Sequence, residues 1–217
     1  MAAPRIAPID QSKLRESVYC ALRDAFTRGE FAPGDTVSLR TLAEQLGTSM
    51  TPVREAVRRL VAEGALLDTP SRKLVVPPFD ARRMADLKAA RLALEPLVLD
   101  QAMDRMTPAD IDALEAVIDI PRGSADGPDL ETNYRFHFQL YRQSGSEVLL
   151  PVVEALWLQY GAYLNRIIAQ ESARVIEEHL HHREILGALR SGDRPAARAA
   201  LIADIERSFQ ILGREGP

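Results

Sequence analysis

The stretch SLRTLAEQLGTSMTPVREAVRRLVAEG, residues 38–64, decides the fold of the N-terminal part of the chain. Its apolar residues form two short runs with the spacing i, i+3, i+4, i+7, and Gly47 separates them, which predicts two amphipathic helices joined by a tight turn. Ser38 and Ser49 precede the two runs at N-cap positions, and Pro52 suits the first turn of the second helix. The outward face of that second helix carries Met50, Thr51, Arg54 and Arg58.

Arginines four residues apart, on a helix whose other face is buried, favour nucleic-acid recognition. A guanidinium can pair with a phosphate or with the acceptor edge of guanine, so this helix suits the major groove of DNA. The pattern predicts a helix-turn-helix. The alternative is a solvated charged face in an ordinary helical bundle, since exposed arginines are common.

The flanking sequence predicts a wing beside this helix pair. Upstream, an apolar stripe from Leu14 to Phe26 indicates another helix, and a short extended segment, TVS, follows it. Downstream, residues 65–67 and 74–76 read as two brief strands around a polar tip that ends in Arg72 and Lys73. Two cations at a hairpin tip can reach the sugar-phosphate backbone. The order of elements is therefore that of a winged helix-turn-helix.

Residues 36–76 resemble the winged domain of the GntR family of bacterial transcription regulators. The residues that match its motif are Ser49, Thr51, Pro52, Val53, Arg54, Glu55, Ala56, Leu60 and Gly64. The resemblance implies that Arg40, Ser49, Thr51 and Arg54 contact an operator. Where the family usually has arginine after the capping residue, this chain has Met50, which cannot pair with guanine. We therefore expect an operator that differs from the family's common half-site or is bound more weakly.

Length and charge predict two parts. The chain has 217 residues, is 46% hydrophobic and carries a net charge of −4; residues 1–79 hold 11 Lys and Arg against 9 Asp and Glu, and the rest holds 16 against 22. A mildly basic head needs two copies to hold DNA, so we expect a homodimer on a pseudo-palindromic operator. We expect a disordered arm over 1–10, a winged domain over 11–78 and an all-helical domain over 79–217.

The cellular compartment of the protein is predicted from its cysteine usage and from the absence of a long apolar run. Cys20 is the single cysteine and falls in the first helical stripe, so we expect it to pack in a reducing environment. No run is apolar for long enough to predict a signal peptide or a membrane span. These features predict a cytoplasmic protein.

Everything beyond Pro78 reads as helix, so the fold class expected for the whole chain is mainly α. Predicted helices cover 82–105, 108–118, 129–144, 147–169, 172–190 and 194–212. This six-helix segment resembles the FCD ligand-binding domain of the FadR branch of GntR regulators, in its shorter VanR-like form. Arg91, Glu95 and Pro96 match that branch's Arg-x-x-x-Glu-Pro segment.

The resemblance also implies a metal site. Carried over by position, its ligands are Asn133, His137, His182 and Asp204, with Asn in place of the branch's Asp and Asp in place of its last His. Two imidazoles, a carboxylate and an amide oxygen can bind a divalent ion such as Zn, Ni, Mn or Fe. Alternatively, the two histidines are hydrogen-bonded core residues.

An effector pocket is the other feature that the resemblance implies. It points to Arg91 as the partner of a carboxylate on a small organic acid, because a guanidinium offers two aligned donors. Arg166 is a second candidate for this pocket. The alternative role of Arg91 is an i, i+4 ion pair with Glu95.

Two functions of different classes remain at this point. The first is a ligand-responsive transcription regulator, a repressor by default, that is not an enzyme and has no membrane partner. The second is a non-haem metalloenzyme in which His137, His182 and Asp204 form a two-histidine, one-carboxylate site. The regulator is favoured because the sequence shows no separate general base or nucleophile, and an enzyme has no use for the surface from Ser49 to Arg59.

Overall fold

The computed structural model describes residues 11–70, 73–119, 129–164 and 179–213. Helices dominate these residues, and the strands are short, which confirms the expected mainly α fold class. The predicted arm, Arg72 and Arg166 lie outside the described residues, as do the end of the predicted helix 147–169 and the start of the predicted helix 172–190.

The N-terminal head consists of three helices and a three-stranded sheet. Its elements are α1 (Gln11–Thr27), β1 (Thr36–Val37), α2 (Leu39–Gln45), α3 (Met50–Ala62), β2 (Leu67–Asp68) and β3 (Leu74–Val75). The sheet has the order β1-β3-β2, and both strand pairs are antiparallel. The predicted winged helix-turn-helix is confirmed, although the first wing strand begins two residues later than predicted.

Local chemistry explains where the helices of the head begin and end. Ser38 caps α2, because its hydroxyl accepts a hydrogen bond from the backbone N–H of Thr41. Gly47 follows this helix with a φ of 61°, which favours glycine. The apolar stripes of α1, α2 and α3 meet in one core that holds Phe26 and Leu60 at full burial. The outward face of α3 is therefore held from behind by close packing.

The C-terminal body is all helical. Its elements are α4 (Ala81–Met103), α5 (Pro108–Ile118), α6 (Leu130–Arg142), α7 (Leu149–Gly161), α8 (Leu180–Ser191) and α9 (Arg194–Gly213). Asp80 caps α4, and Thr107 and Asp110 form a capping box on α5. Gly192 takes a φ of 68° in the turn that separates α8 from α9. Each predicted body helix thus corresponds to an observed helix.

Two predicted helices are interrupted within the described residues. The helix predicted over 147–169 breaks after Gly161, where residues 162–163 form a turn, and the one predicted over 172–190 is not helical at His179, the residue before α8. A Cβ at Gly161 would lie 2.5 Å from the backbone oxygen of Phe26, so α7 ends where it meets α1. The hydroxyl of Tyr163 then donates to the backbone oxygen of Pro78 at 3.2 Å. Tertiary contacts, rather than helix periodicity, set this boundary.

Candidate functional site

The outward face of α3 presents the predicted DNA-contacting side chains to solvent. Ser49, Met50, Thr51, Arg54 and Arg58 are all exposed, whereas Val53, Ala56, Val57 and Leu60 on the opposite face are buried. Ser49 occupies the N-cap position, but its side chain makes no capping hydrogen bond. The first N–H groups of α3 are therefore available to an anion, which a helix N-terminus favours.

Arg54 differs from the other two arginines of this surface. Arg58 Nη1 lies 3.1 Å from Glu55 Oε1, and Arg40 Nε lies 2.9 Å from Glu44 Oε1. For Arg54, no ion pair is found within the described part of the chain. Exposed ion pairs of this kind contribute little to stability, so Arg40 and Arg58 can leave their partners to contact DNA. Arg54 can contact DNA without breaking an ion pair of its own helix.

The wing is ordered by its threonine. Thr69 Oγ1 donates to the backbone oxygen of Lys73 at 2.9 Å and accepts from the backbone N–H of Lys73 at 3.1 Å. These bonds close the hairpin across its tip. Lys73 is exposed there, next to the undescribed Arg72. One of the two predicted wing cations is thus placed at the surface of the head.

Three of the four predicted metal ligands meet inside the body. His137 of α6, His182 of α8 and Asp204 of α9 are buried, and their candidate ligand atoms all lie within 4.8 Å of one another. His137 Nε2 is 3.1 Å from Asp204 Oδ2 and 3.2 Å from His182 Nε2. Ligands about 2.1 Å from a common ion lie roughly 3 Å apart when they are adjacent, so these separations fit a divalent ion.

The fourth predicted ligand, Asn133, is half-buried one turn before His137 on α6. Among the described residues, none hydrogen-bonds its side-chain amide. His179 belongs to the surroundings of the site, because its Nδ1 lies 3.1 Å from Nδ1 of His182, on the side of that ring away from His137. A contact at the outer nitrogen is what orients a ligating imidazole.

The positions of the protons on Tyr141 and His137 explain why the cluster suits a cation. The hydroxyl of Tyr141 donates to Glu95 Oε2 at 2.5 Å, so the contact of 3.2 Å between that hydroxyl and His137 Nδ1 requires a proton on Nδ1. In neutral His137, Nε2 then carries a lone pair and faces the carboxylate of Asp204. Two acceptors at 3.1 Å need a cation between them, either a proton or a metal ion.

When a proton occupies the position between His137 and Asp204, the charge of His137 acts on the pKa of both neighbouring groups. Burial, followed by the charge of His137, lowers the pKa of His182 to about 3, so this imidazole is neutral at physiological pH. Burial acts to raise the pKa of Asp204, but the hydrogen bond and charge of His137, together with the charge of nearby groups that include Arg207, outweigh burial and hold that pKa below its usual value. Burial and the charge of Glu95 raise the pKa of Tyr141 well above its usual value. A neutral imidazole and an ionised carboxylate are the forms that bind metals.

Glu95 is the centre of a second buried cluster, which adjoins the first through Tyr141. Arg91 Nε donates to Glu95 Oε1 at 2.5 Å, and the indole Nε1 of Trp157 donates to the same oxygen at 3.0 Å. The ion pair is the alternative role that the sequence left open for Arg91, and the structure confirms that pair. Burial acts to lower the pKa of Arg91, but the charge of Glu95 and its hydrogen bond outweigh burial and raise it.

The ion pair does not use the whole Arg91 guanidinium. Its carbon lies 4.3 Å from the ring centroid of Trp157 and 4.9 Å from that of Tyr160, which places the cation over aromatic faces. Arg91 Nη1 is buried and has no hydrogen-bond partner among the described residues. Buried polar groups of this kind are uncommon and call for an explanation.

Tyr141, which connects the two clusters, was not predicted from the sequence. A signal for it was present, because Tyr141 follows His137 by four residues and therefore lies one turn further along the same face of α6. Glu95 was considered only as a partner of Arg91. Its further bonds to Tyr141 and Trp157 depend on how three helices pack, which no local pattern shows.

Helix α7 joins the buried clusters to the winged head. Trp157 contacts Glu95 in the body, while the next residue, Leu158, is buried in the core of the head together with Ala162. Gly161 lies against the backbone of Phe26 in α1. One helix therefore contacts the body's charged network and the head's hydrophobic core within a few residues.

A polar bridge at the start of α4 strengthens this junction. Arg83 Nη2 donates to the backbone oxygen of Gly64 at 2.9 Å and to Gln159 Oε1 at 2.6 Å. Gly64 follows the C-terminal end of α3, and Gln159 belongs to α7. The end of the exposed helix is thus tied to the same helix that holds Trp157.

A winged head with an exposed basic helix, attached to a helical body with a buried polar site, defines a class of protein: the transcription regulators. Family models agree. Residues 14–73 match the model for bacterial regulatory proteins of the gntR family, and residues 86–207 match the FCD domain. The chain belongs to the gntR family of transcription regulators and carries an FCD domain in its body.

Relatives and a solved structure are similar over nearly the whole chain. The HTH-type transcriptional regulator McbR of Escherichia coli K12 is 29% identical over 196 residues, covering 88% of this chain and 89% of McbR. The Nta operon transcriptional regulator of Aminobacter aminovorans is 33% identical over 187 residues, covering 84% of this chain and 87% of that protein. The structure of E. coli McbR/YncC superposes with a TM-score of 0.84 at 28% identity, covering 92% of this chain and 96% of that one.

These comparisons confirm the family, the fold class and the regulatory role predicted from the sequence. They also decide between the two functions left open, because the family and these relatives are transcription regulators and not enzymes. Within the described ranges, we find no helix with the length and apolar character needed to cross a bilayer.

Proposed function

We propose that this protein is a ligand-responsive repressor that binds a pseudo-palindromic operator as a homodimer in the cytoplasm. Each head inserts the N-terminal end of its α3 into the major groove, where Ser49, Thr51 and Arg54 contact DNA together with Arg40 and Arg58. Lys73 and Arg72 of the wing contact the backbone. The exposure of every described member of this set, on a head whose α3 is buried along its opposite face, supports the proposal.

The effector is a small carboxylic acid that binds in the body beside a divalent metal ion. The observation that supports this assignment is that acceptor atoms and a donor without a hydrogen-bond partner lie in the same buried part of the body. The acceptor atoms of His137, His182 and Asp204 converge and can hold a cation, while Arg91 Nη1 is a donor without an acceptor among the described residues. A metal ion supplies the first, and the oxygens of a carboxylate supply the second.

The chain's own residues set up this site. Tyr141 fixes the tautomer of His137 so that its Nε2 lone pair faces Asp204, and Asn133 offers an amide oxygen as a fourth ligand one turn away. The bound ion supplies a positive charge that attracts the anionic effector. Arg91 orients that effector, and the aromatic rings around it exclude water, which strengthens the charge interaction.

The signal reaches DNA through α7. An acid that binds Arg91 competes with Glu95 for the guanidinium and so disturbs the bond between Glu95 and Trp157. Trp157 precedes Leu158, which packs in the core of the head. The effector shifts the operator equilibrium only if it binds the DNA-competent arrangement less tightly than the released one.

A mobility-shift titration tests this proposal. The wild-type protein is added to the DNA upstream of its own gene, first alone, then after metal removal with EDTA and reloading with Zn²⁺ or Ni²⁺, and finally with a panel of small carboxylic acids. We expect the wild-type dimer to retard the DNA. We expect one of the acids to reverse this retardation, and only in the metal-loaded protein. If the protein retards no DNA in the presence of unrelated competitor duplex, the proposal is contradicted. If an acid reverses the retardation equally well after EDTA treatment, the metal ion has no part in the response.

A further inference from the structure

Met50 is an exposed apolar side chain at the leading end of α3. It retains 47% of its accessible surface and belongs to neither hydrophobic core of the described residues. It is the first residue of α3, beside the exposed Thr51 and one turn before Arg54. Single exposed apolar side chains are common, so what distinguishes Met50 is its position among the side chains proposed to contact DNA.

The chemistry of base edges restricts what Met50 can recognise. A thioether has no hydrogen-bond donor and is only a weak acceptor. In the major groove, all four bases present hydrogen-bonding groups, which lose water with little compensation against a thioether. Thymine is the unmodified base that presents a methyl group there, and apolar side chains contact it favourably.

We propose that Met50 reads the 5-methyl group of a thymine in each half of the operator. This inference rests on the proposed entry of α3 into the major groove. Met50 and Arg54 are four residues apart, so their Cβ atoms are separated by about 6 Å, roughly two base-pair steps. The thymine therefore lies within about two base pairs of the base that Arg54 contacts. Specificity at this position comes from apolar contact instead of from a hydrogen bond.

The test separates the methyl group from every other property of thymine. The operator is first selected from a random DNA pool with the full-length protein, and each thymine of one half-site is then replaced by deoxyuridine. Deoxyuridine keeps the pairing edge and loses only the methyl group. At one position we expect the dissociation constant of the wild type to rise about fourfold, the effect of exposing one buried methyl-sized group.

Variants assign that effect to a side chain. Met50→Ala removes the contact, so its affinity should be the same for thymine and deoxyuridine, whereas Met50→Leu should keep part of the discrimination. Thr51→Ser removes the neighbouring methyl group and should leave the wild-type discrimination unchanged. All three substitutions are made at exposed positions, so circular dichroism is enough to check folding.

The outcomes of this experiment distinguish the inference from the proposed function. A selected operator in which no thymine is sensitive to deoxyuridine overturns the inference and leaves operator binding intact. Equal sensitivity in the wild type and in Met50→Ala also overturns it, since the methyl group is then read by another residue. A pool that yields no enriched sequence contradicts operator binding itself, and with it the role of Met50.

Discussion

Trp157 Nε1 donates a hydrogen bond to Glu95 Oε1 at 3.0 Å, and this bond links α7 to the charged network of the body. The next residue of α7, Leu158, is buried in the core of the winged head. A change in the position of Glu95 therefore has a direct mechanical route to the head. The route consists of packed groups in contact, which is the physical requirement for coupling two sites.

Replacing Trp157 by phenylalanine tests this route. Trp157→Phe keeps an aromatic ring beside Arg91 but deletes the donor to Glu95, so the protein should still bind operator while its release by an effector acid weakens. We also expect the free energy of unfolding to fall by about 1–3 kcal/mol, because a buried acceptor is deprived of one donor. Operator titrations with and without the active acid, together with urea denaturation, measure the two effects.

Tyr134 provides a matched control for that variant. Its ring packs edge-on against Trp157, and its hydroxyl is buried with no hydrogen-bond partner in the described residues. Tyr134→Phe should therefore leave both stability and acid response close to wild type. If Trp157→Phe responds to the acid as fully as Tyr134→Phe does, the coupling does not pass through this bond.

Asp204→Asn tests the metal site. The substitution keeps the shape of the side chain but removes the negative charge that faces His137 Nε2, so the affinity for Zn²⁺ or Ni²⁺ should fall by at least about tenfold. Isothermal titration of EDTA-stripped protein measures it. His181→Asn is the control, because His181 pairs with Glu184 outside the cluster. Unchanged affinity in Asp204→Asn, or no metal binding by the wild type, would rule out this site.

The pKa of His182 predicts how the metal-free protein responds to acid. This pKa is about 3 in the folded protein, whereas the ordinary value is 6.5. At pH values between the two, the unfolded chain binds a proton at His182 and the folded chain does not. The free energy of unfolding should therefore decrease as pH falls below about 6.5, by up to roughly 1.4 kcal/mol per pH unit. The pKa of Asp204 is also lowered, which decreases stability further only at lower pH.

Denaturation of EDTA-treated protein between about pH 7 and pH 4.5 measures this slope. His182→Gln should flatten this slope, because glutamine does not titrate, while His181→Gln, outside the cluster, should keep the wild-type slope. A slope that is the same in His182→Gln and in the wild type would show that other groups cause the acid sensitivity.

The head was more predictable from the sequence than the body was. Its helices are short and carry separate apolar stripes, and the capping residue Ser38 and the break at Gly47 lie where local rules place them. The break in the helix after Gly161 was not predicted, because Gly161 reads as a tolerated helical residue. Its real role is the close approach to Phe26, which is distant along the chain, so no local pattern contains that contact.

The buried site shows the same division between local and long-range information. His137, His182 and Asp204 were placed by resemblance to a family, and the structure brings them together from three helices. The links from Glu95 to Tyr141 and to Trp157 could not be predicted, because each joins two helices whose relative placement depends on the whole core. For Arg91 the sequence allowed both an ion pair and a ligand contact; the structure shows the ion pair and a buried Nη1 with no partner among the described residues.

The most direct test of the account is the operator affinity of Arg54→Ala, measured by fluorescence anisotropy at constant salt. Arg54 is exposed on α3, so the variant should fold, dimerise and bind metal as the wild type does. Its dissociation constant for the operator should rise by about 10-fold to 100-fold for each half-site that loses the guanidinium contact. Arg28→Ala removes the same charge from the head at a residue that is outside α3 and paired with Glu30, and it should weaken binding far less. Equal affinities of Arg54→Ala and Arg28→Ala would contradict recognition of DNA by α3.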